Sequence, residues 1–408
     1  MSRGQLEQRL LVLVTLGLVA FGLVMVYSAT SASAAVGGGN PAGYLQRQAI
    51  YAVAGIALMI AAARFDYHQL RLFAPALVVG ALGLCVLVLV AAPQINGARR
   101  WLQAGPITFQ PSELAKLALC VWVAAHLSRR PAPRTLGELA KPVGLLTALF
   151  CGLLMLQPDL GTTITLCLML LAVLVVAGTP GRLLATAGGA ALVLGGAMIW
   201  LEPYRRARIF SFVDPWQDAQ GAGFQTVQAI IGIGSGGLTG EGLGHGVQKI
   251  FYLPEAHTDM IFAIVGEELG LVGSAFVICA FAVFAYAGFR VALRCKDPFG
   301  KRLAAGITAL VCGQAAVNLA AVLGLAPLTG IPLPFVSYGG SSLVCLLAAV
   351  GILHNIAGNE RVATQRARVP DRSRRNGGAR QAGARRGAGA ARTRRQGDLR
   401  RVAGSRRG

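Results

Sequence analysis

The sequence predicts an all-α integral membrane protein of about ten transmembrane helices. Three observations lead there. Hydrophobic residues make up 54% of the 408 residues and charged residues 13%, whereas soluble domains carry about 25% charged residues. Too little polar surface remains to cover a water-soluble globule of this length. Apolar runs close to the ~20 residues needed to cross the hydrocarbon core recur along the chain. Lys and Arg, finally, gather in alternate connecting segments.

The expected spans are 10–29, 47–63, 72–92, 112–128, 142–157, 161–178, 182–201, 259–289, 303–324 and 340–357. The first run is full length before its Ser/Ala-rich end, which fits an uncleaved helix better than a signal peptide. Spans five and six are joined only by Gln157-Pro158-Asp159-Leu160 and read as a tight hairpin. Ten crossings put both termini on one side. With the termini cytoplasmic, about 30 of the 38 basic residues lie inside, so the predicted topology is N-in, C-in. Residues 1–9 then form a cytoplasmic N-terminus and residues 10–358 the membrane domain. From Arg361 onward, 16 Arg and two Asp contribute +14 of the net +21. That Arg/Gly/Ala-rich segment, 359–408, is expected to be a disordered cytoplasmic tail suited to anionic lipid. It lacks a recognition module, which argues against nucleic acid as a partner. The eight Cys have no CxxC spacing and, except for Cys295, sit in apolar runs as small hydrophobes.

The outer connections are rich in Gly, Pro and polar residues. The largest, 202–258 between helices seven and eight, is far longer than a helix connection needs. Five constellations fall on this face. In the first, Arg99 and Arg100 precede Gln110-Pro-Ser-Glu113-Leu-Ala-Lys116. Glu113 and Lys116 share one helix face, as an interfacial ion pair or, with the two Arg, as a cationic site for a phosphorylated headgroup. In the second, Asp159 either caps the following helix or belongs to a site. The third places Arg205 and Arg208 outside, against the charge trend, with an anionic ligand or Glu202 and Asp214 as partners.

The fourth constellation runs from Gln248 and Lys249 through Glu255-Ala-His257-Thr-Asp259 into helix eight. Asp259 is expected in the first helical turn, where the dipole stabilises a carboxylate. Glu267 and Glu268 follow about 12 Å deeper. At roughly 3 kcal/mol each if unpaired, they must face the bundle interior as structural acids, paired with Asn318 or a basic residue. The fifth, Pro327 to Ser342 with Ser337 inside it, cannot continue a helix and is tolerated in a membrane protein where it lines a cavity. Cations, carboxylates and irregular backbone on one membrane face point to a lipid-linked anionic substrate.

These motifs resemble the SEDS family (shape, elongation, division and sporulation) across about residues 10–358. The resemblance rests on Arg99 to Trp101 with Asn96 before it, Gln110 to Lys116, Gln157 to Thr162, Arg205 to Pro215, Pro254 to Asp259, Gly266-Glu-Glu-Leu-Gly270 and Pro332 to Ser342. The Gln248-to-His257 stretch resembles the division and sporulation members more than the elongation member. Met260 stands where the family usually has Phe.

The resemblance implies a ten-helix peptidoglycan glycosyltransferase that polymerises lipid II and releases undecaprenyl pyrophosphate. It implies Asp259 as the catalytic acid-base residue, with Arg100, Glu113 and Lys116 at further functional positions. Arg99, Arg205, Arg208, Lys249, His257 and Ser337 complete the expected substrate and pyrophosphate site. No cofactor is implied with certainty, although a divalent cation, Mg or Mn, would suit a departing pyrophosphate. The implied partners are a class B penicillin-binding protein (a transpeptidase) and other membrane proteins of the division machinery. The implied location is the cell membrane at the septum. A lipid II flippase, a non-catalytic scaffold and an elongation-type polymerase are the alternatives. The polar segments lie mostly on one face without a repeated half, which disfavours alternating access.

Overall fold

The computed structural model describes residues 3–35, 41–94, 97–105, 107–221, 223–250 and 253–368. Asn96, Phe251 and Tyr252, named in the sequence motifs, lie outside the described residues, as do 369–408 of the basic tail. The chain divides into a compact body, Met1–Glu360, and a second unit, Arg361–Gly408. Of the second unit only 361–368 are described, and these are helical although the sequence suggests disorder from residue 359.

The body opens with α1 (Arg3–Ala35) and α2 (Pro41–Arg64), followed by a 3₁₀ turn at Tyr67–Gln69 and α3 (Leu70–Ala91). A two-stranded antiparallel hairpin, β1 (Leu102–Ala104) and β2 (Ile107–Phe109), pairs Leu102 with Phe109. Then come α4 (Pro111–Ser128), the single turn α5 (Leu136–Leu139), a wide turn at Ala140–Gly144, and α6 (Leu145–Leu156). Next are α7 (Leu160–Ala177), α8 (Gly181–Trp200) and two shorter helices of the large loop, α9 (Pro203–Val213) and α10 (Phe224–Ser235). The chain finishes with α11 (Ile261–Arg294), α12 (Pro298–Val322) and α13 (Gly340–Arg368).

Nine helices among the described residues are long and apolar enough to cross a membrane. The remaining expected span is α4, an 18-residue helix that carries Glu113 and Lys116 inside the bundle. The protein is a multi-pass membrane protein. Local chemistry sets the helix ends: Pro111 sits in the first turn of α4, and Asp159 and Asp297 cap α7 and α12 through the amides of Thr162 and Gly300. Gly178 closes α7 at φ 90°. Helix α12 lies at the centre, packed on α4, α7 and α11. Helix α8 is peripheral, with Leu192, Val193 and Leu194 exposed.

Helix α11 departs from expectation in two ways. It starts at Ile261, so Asp259 lies in the preceding turn, and it breaks at Gly270 (φ 63°, ψ −156°). Backbone groups released by the break need partners where water is absent. The glycine-rich segment of the large loop supplies them. Leu271 and Val272 donate N–H to Gly237 and Leu238 carbonyls at 3.0 and 3.2 Å, while Glu267 and Glu268 carbonyls accept from Glu241 and Gly242 at 3.0 Å. The large loop thus folds back onto α11.

Candidate active site

Asp259 lies at the junction of the large loop and α11, half-buried. Asn318 on α12 holds it from below. The Asn318 amide donates to the Asp259 carbonyl at 2.7 Å and to the Ile331 carbonyl at 2.8 Å, joining Asp259 to the Pro-rich segment before α13. The Thr258 hydroxyl lies 3.2 Å from Asp259 Oδ1 and 3.1 Å from Glu255 Oε2. Gly330, at φ 71°, lies against the other carboxylate oxygen, which a Cβ there would meet at 3.8 Å. Glu255 and Phe335 hold left-handed backbone at φ 56° and 65°, strain that is characteristic of functional sites.

Burial pushes the Asp259 carboxyl up to about 6. Hydrogen bonds from its own backbone amide and from Thr258 oppose this, Glu255 adds to it, and Arg208 draws it down. Desolvation therefore outweighs the helix-dipole stabilisation expected from the sequence. A carboxylate at this value is ionised at neutral pH yet basic enough to accept a proton. Burial also holds the His257 imidazole below its ordinary value.

One turn of α12 before Asn318, Gln314 extends the network. Its amide donates to the Pro332 carbonyl at 2.9 Å, and its oxygen accepts from Lys116 at 2.7 Å. Lys116 also pairs with Glu113 at 2.9 Å, and both are buried. Polar side chains four apart on the apolar α12 were a legible signal for Gln314 and Asn318. The intramembrane glutamates were expected to pair with Asn318 or a basic residue; Asn318 holds Asp259 instead, and the basic residue is Lys249.

Those glutamates have other partners. Lys249 reaches Glu268 at 2.7 Å, with side-chain exposures of 2% and 0%. The Ser28 hydroxyl on α1 lies 2.6–2.8 Å from both Glu268 oxygens. Glu267 accepts the amides of Val247 at 2.7 Å and Gln248 at 3.1 Å. Thus Lys116 and Lys249, both expected as phosphate ligands, are each committed to a buried carboxylate, because charges in an apolar bundle must be paired.

The remaining cations are distributed around the site. Arg99 is exposed and donates to the Leu89 carbonyl at 3.0 Å. Arg100 donates to the Gln157 carbonyl at 2.9 Å and to the Pro158 carbonyl, clamping the α6–α7 joint. Arg208 donates to the Leu328 carbonyl at 3.0 Å, and it is the arginine felt by Asp259. Arg205 lies on α9, but its side chain is outside the described residues. The Ser337 hydroxyl accepts from the Leu333 amide at 2.8 Å and shapes the loop from within.

The same segments meet from both sides. Gln110 accepts no cap bond of its own, but its backbone amide donates to Ser341 Oγ at 3.2 Å and its side chain reaches Asp159 at 3.5 Å. Among the described residues, Ser112 Oγ, Glu113 Oε2, Asn318 Oδ1 and Ser342 Oγ are buried without a protein partner. Each would cost about 1–3 kcal/mol in a dry interior, which favours a site that admits water or ligand.

The network couples a half-buried carboxylate to segments far apart in the chain, as in the Gln110–Ser341 bond. From residue 8 to residue 362 the chain matches the FtsW/RodA/SpoVE family, described as a cell cycle protein. The chain belongs to this family. It is 41% identical over 350 residues to the probable peptidoglycan glycosyltransferase FtsW of Geobacter sulfurreducens, covering 85% of this chain and 94% of that protein. It is 38% identical over 352 residues to stage V sporulation protein E of Bacillus subtilis, covering 85% and 96%. A chain of a peptidoglycan synthase complex, solved for how polymerization and crosslinking are coordinated, superposes with a TM-score of 0.72 at 32% identity over 86% and 97% of the two chains. The rod shape determining protein RodA of Thermus thermophilus gives 0.64 at 31% identity over 86% and 96%. The family expected from the motifs is therefore the family found.

Proposed function

We propose that this protein is a peptidoglycan glycosyltransferase that polymerises lipid II on the outer face of the cell membrane and releases undecaprenyl pyrophosphate. The observation that carries the reading is Asp259, a carboxylate held near pH 6 beside Arg208 at the meeting point of the large loop, α12 and the Pro-rich segment. Its glycosyltransferase relatives agree with it. Asp259 takes the proton of the acceptor sugar 4-hydroxyl while that oxygen bonds to the donor anomeric carbon. The bond from that carbon to the pyrophosphate oxygen breaks, and its electron pair leaves with the lipid pyrophosphate. A positioned base of this kind contributes about 10²–10⁴-fold. Arg99, Arg100, Arg205 and Arg208 attract the pyrophosphate, and Glu113–Lys116 hold α4 in register through Gln314.

Glu255 and Asp259 form a two-carboxylate donor set, which suits a Mg or Mn ion that arrives with phosphate oxygens. Glu255, the exposed member, would hold such an ion, whose chemistry would be charge neutralisation on the departing phosphates. Positive charge favours N-in, C-in placement, with a basic tail in the cytoplasm. A class B penicillin-binding protein is the transpeptidase partner and the division septum is the site of action. The neighbouring synthase complex supports the first, and the division and sporulation relatives support the second.

The test uses purified protein with its transpeptidase partner and lipid II. Asp259→Asn is expected to bind lipid II and make no polymer. Polymerisation at near wild-type rate would refute the assignment. A fluorescently tagged copy on the side wall rather than the septum would favour the elongation role.

A further inference from the structure

Three rings from three separate segments converge at His257, two residues before Asp259 in the chain. Tyr44 stands on the first turn of α2, His257 in the large loop and Tyr338 in the Pro-rich segment. The centroids of Tyr44 and His257 are 5.0 Å apart at 65°, those of Tyr44 and Tyr338 5.4 Å at 73°, and those of His257 and Tyr338 5.5 Å at 56°. Backbone bonds fix the triangle. The Tyr338 amide donates to the His257 carbonyl at 2.9 Å. One turn beyond Tyr44, Gln48 donates to the Ser337 carbonyl at 3.1 Å and accepts the Gly339 amide at 3.4 Å. Tyr44 is 38% exposed, while His257 and Tyr338 are half-buried. Burial raises the Tyr338 phenol, against the pull of Arg47 beside it, so its hydroxyl stays protonated at neutral pH.

We infer that Tyr44, His257 and Tyr338 form a stacking platform for a pyranose ring of the substrate, positioning that sugar against Asp259. A pyranose offers a face of C–H bonds and a rim of hydroxyls. Aromatic faces carry negative charge density that receives the first, and the Tyr338 hydroxyl, the His257 ring nitrogens and the Arg47 guanidinium supply hydrogen bonds to the second. Two other uses of such rings fit less well. Tyr residues anchor helices at the membrane interface, but anchoring gives no reason for three segments to converge on a loop residue two positions before Asp259. An aromatic cage for a quaternary ammonium would not place a guanidinium against one of its rings.

This inference rests on the glycosyl-transfer reading and adds the residues that read the sugar. The test uses the intact protein with its transpeptidase partner. Tyr44→Leu removes the ring while keeping an apolar side chain, Tyr44→Phe keeps the ring, and Tyr44→Met is a second ring-free variant should Tyr44→Leu not purify as a folded protein. Polymerisation is measured against lipid II concentration. Binding of lipid II and of undecaprenyl pyrophosphate, which lacks the sugars, is measured in an Asp259→Asn background. The ring-free variant is expected to raise the KM for lipid II about tenfold, equivalent to about 1.4 kcal/mol, with kcat within about twofold. Tyr44→Phe should restore the wild-type KM, and affinity for undecaprenyl pyrophosphate should be unchanged throughout. An unchanged KM in the ring-free variant overturns the platform, and so does an equal loss of affinity for undecaprenyl pyrophosphate, which would mark lipid anchoring. Wild-type polymerisation by Asp259→Asn would instead overturn the glycosyl-transfer reading itself, so the two failures are distinguishable.

Discussion

Replacing Lys249 by Met removes one half of an ion pair that has almost no access to solvent. Lys249 Nζ lies 2.7 Å from Glu268 Oε1 and 3.3 Å from Ser28 Oγ. Without the ammonium, Glu268 keeps, among the described residues, the Ser28 hydroxyl at 2.6–2.8 Å. Breaking a buried pair by deleting one partner costs about 3–5 kcal/mol, mostly because the remaining charge is stranded. The lost segment matters further, since Lys249 belongs to the same loop that satisfies the backbone break at Gly270. One kcal/mol moves the midpoint by about 2–4 °C in a domain of 150–250 residues, so a fall on the order of 6–20 °C is expected in detergent. The double variant Lys249→Met/Glu268→Leu removes both charges and should recover most of that loss. Thermal unfolding of the three proteins, followed by tryptophan fluorescence or loss of monodispersity, provides the assay. A single variant that melts with the wild type, while its KM for lipid II rises, would refute the structural role and return Lys249 to the substrate.

Four further outcomes follow from the structure. The raised Asp259 value of about 6 means that kcat/KM should fall about tenfold per pH unit below 6, measured as polymer formed in a lipid II pH series. Because the folded value lies above the ordinary 3.8, Asp259 contributes stability below pH 3.8 that is lost as pH rises through 6. Asp259→Asn should therefore be more stable than wild type at neutral pH, by at most about 3 kcal/mol, read as a higher melting temperature. An added Cβ at Gly22 would lie 2.6 Å from the Phe335 carbonyl oxygen and 2.7 Å from Val336 Cα, all backbone. Gly22→Val should cost about 1–3 kcal/mol and lower kcat by displacing the Pro-rich segment, read by melting and by polymerisation rate. Asn318→Leu loses two hydrogen bonds and strands the Asp259 and Ile331 carbonyls. It should cost about 1–3 kcal/mol and reduce kcat more than it raises KM.

The helical membrane architecture and the segments that build the site were legible in the sequence, because both depend on local composition. Apolar runs have the length of a bilayer, and Pro, Gly and Arg punctuate the outer connections. Asp159 as a helix cap was equally local, since its partner amide is three residues away. The partners of the buried acids were not legible. Glu268 pairs with Lys249, 19 residues earlier, and with Ser28, 240 residues away, and nothing in spacing along the chain marks either. The break at Gly270 was hidden for a related reason, since a glycine in an apolar run reads as a close packing point until the loop that fills its backbone is seen.

By itself, the sequence determined that this protein lives in a membrane and that it belongs with the SEDS family, and it singled out Asp259 as the candidate base. Lipid as solvent leaves few ways to arrange so apolar a chain, so composition was sufficient for the first. Only the tertiary structure decided which cations are committed. It gives Lys116 to Glu113 and Gln314, gives Lys249 to Glu268, and sets Arg100 and Arg208 against backbone carbonyls. It alone gathers Tyr44 and Tyr338 around His257, two residues before Asp259. A buried charge takes the nearest partner in space, and for a bundle threaded back and forth through a membrane that partner is set by helix packing rather than by order along the chain.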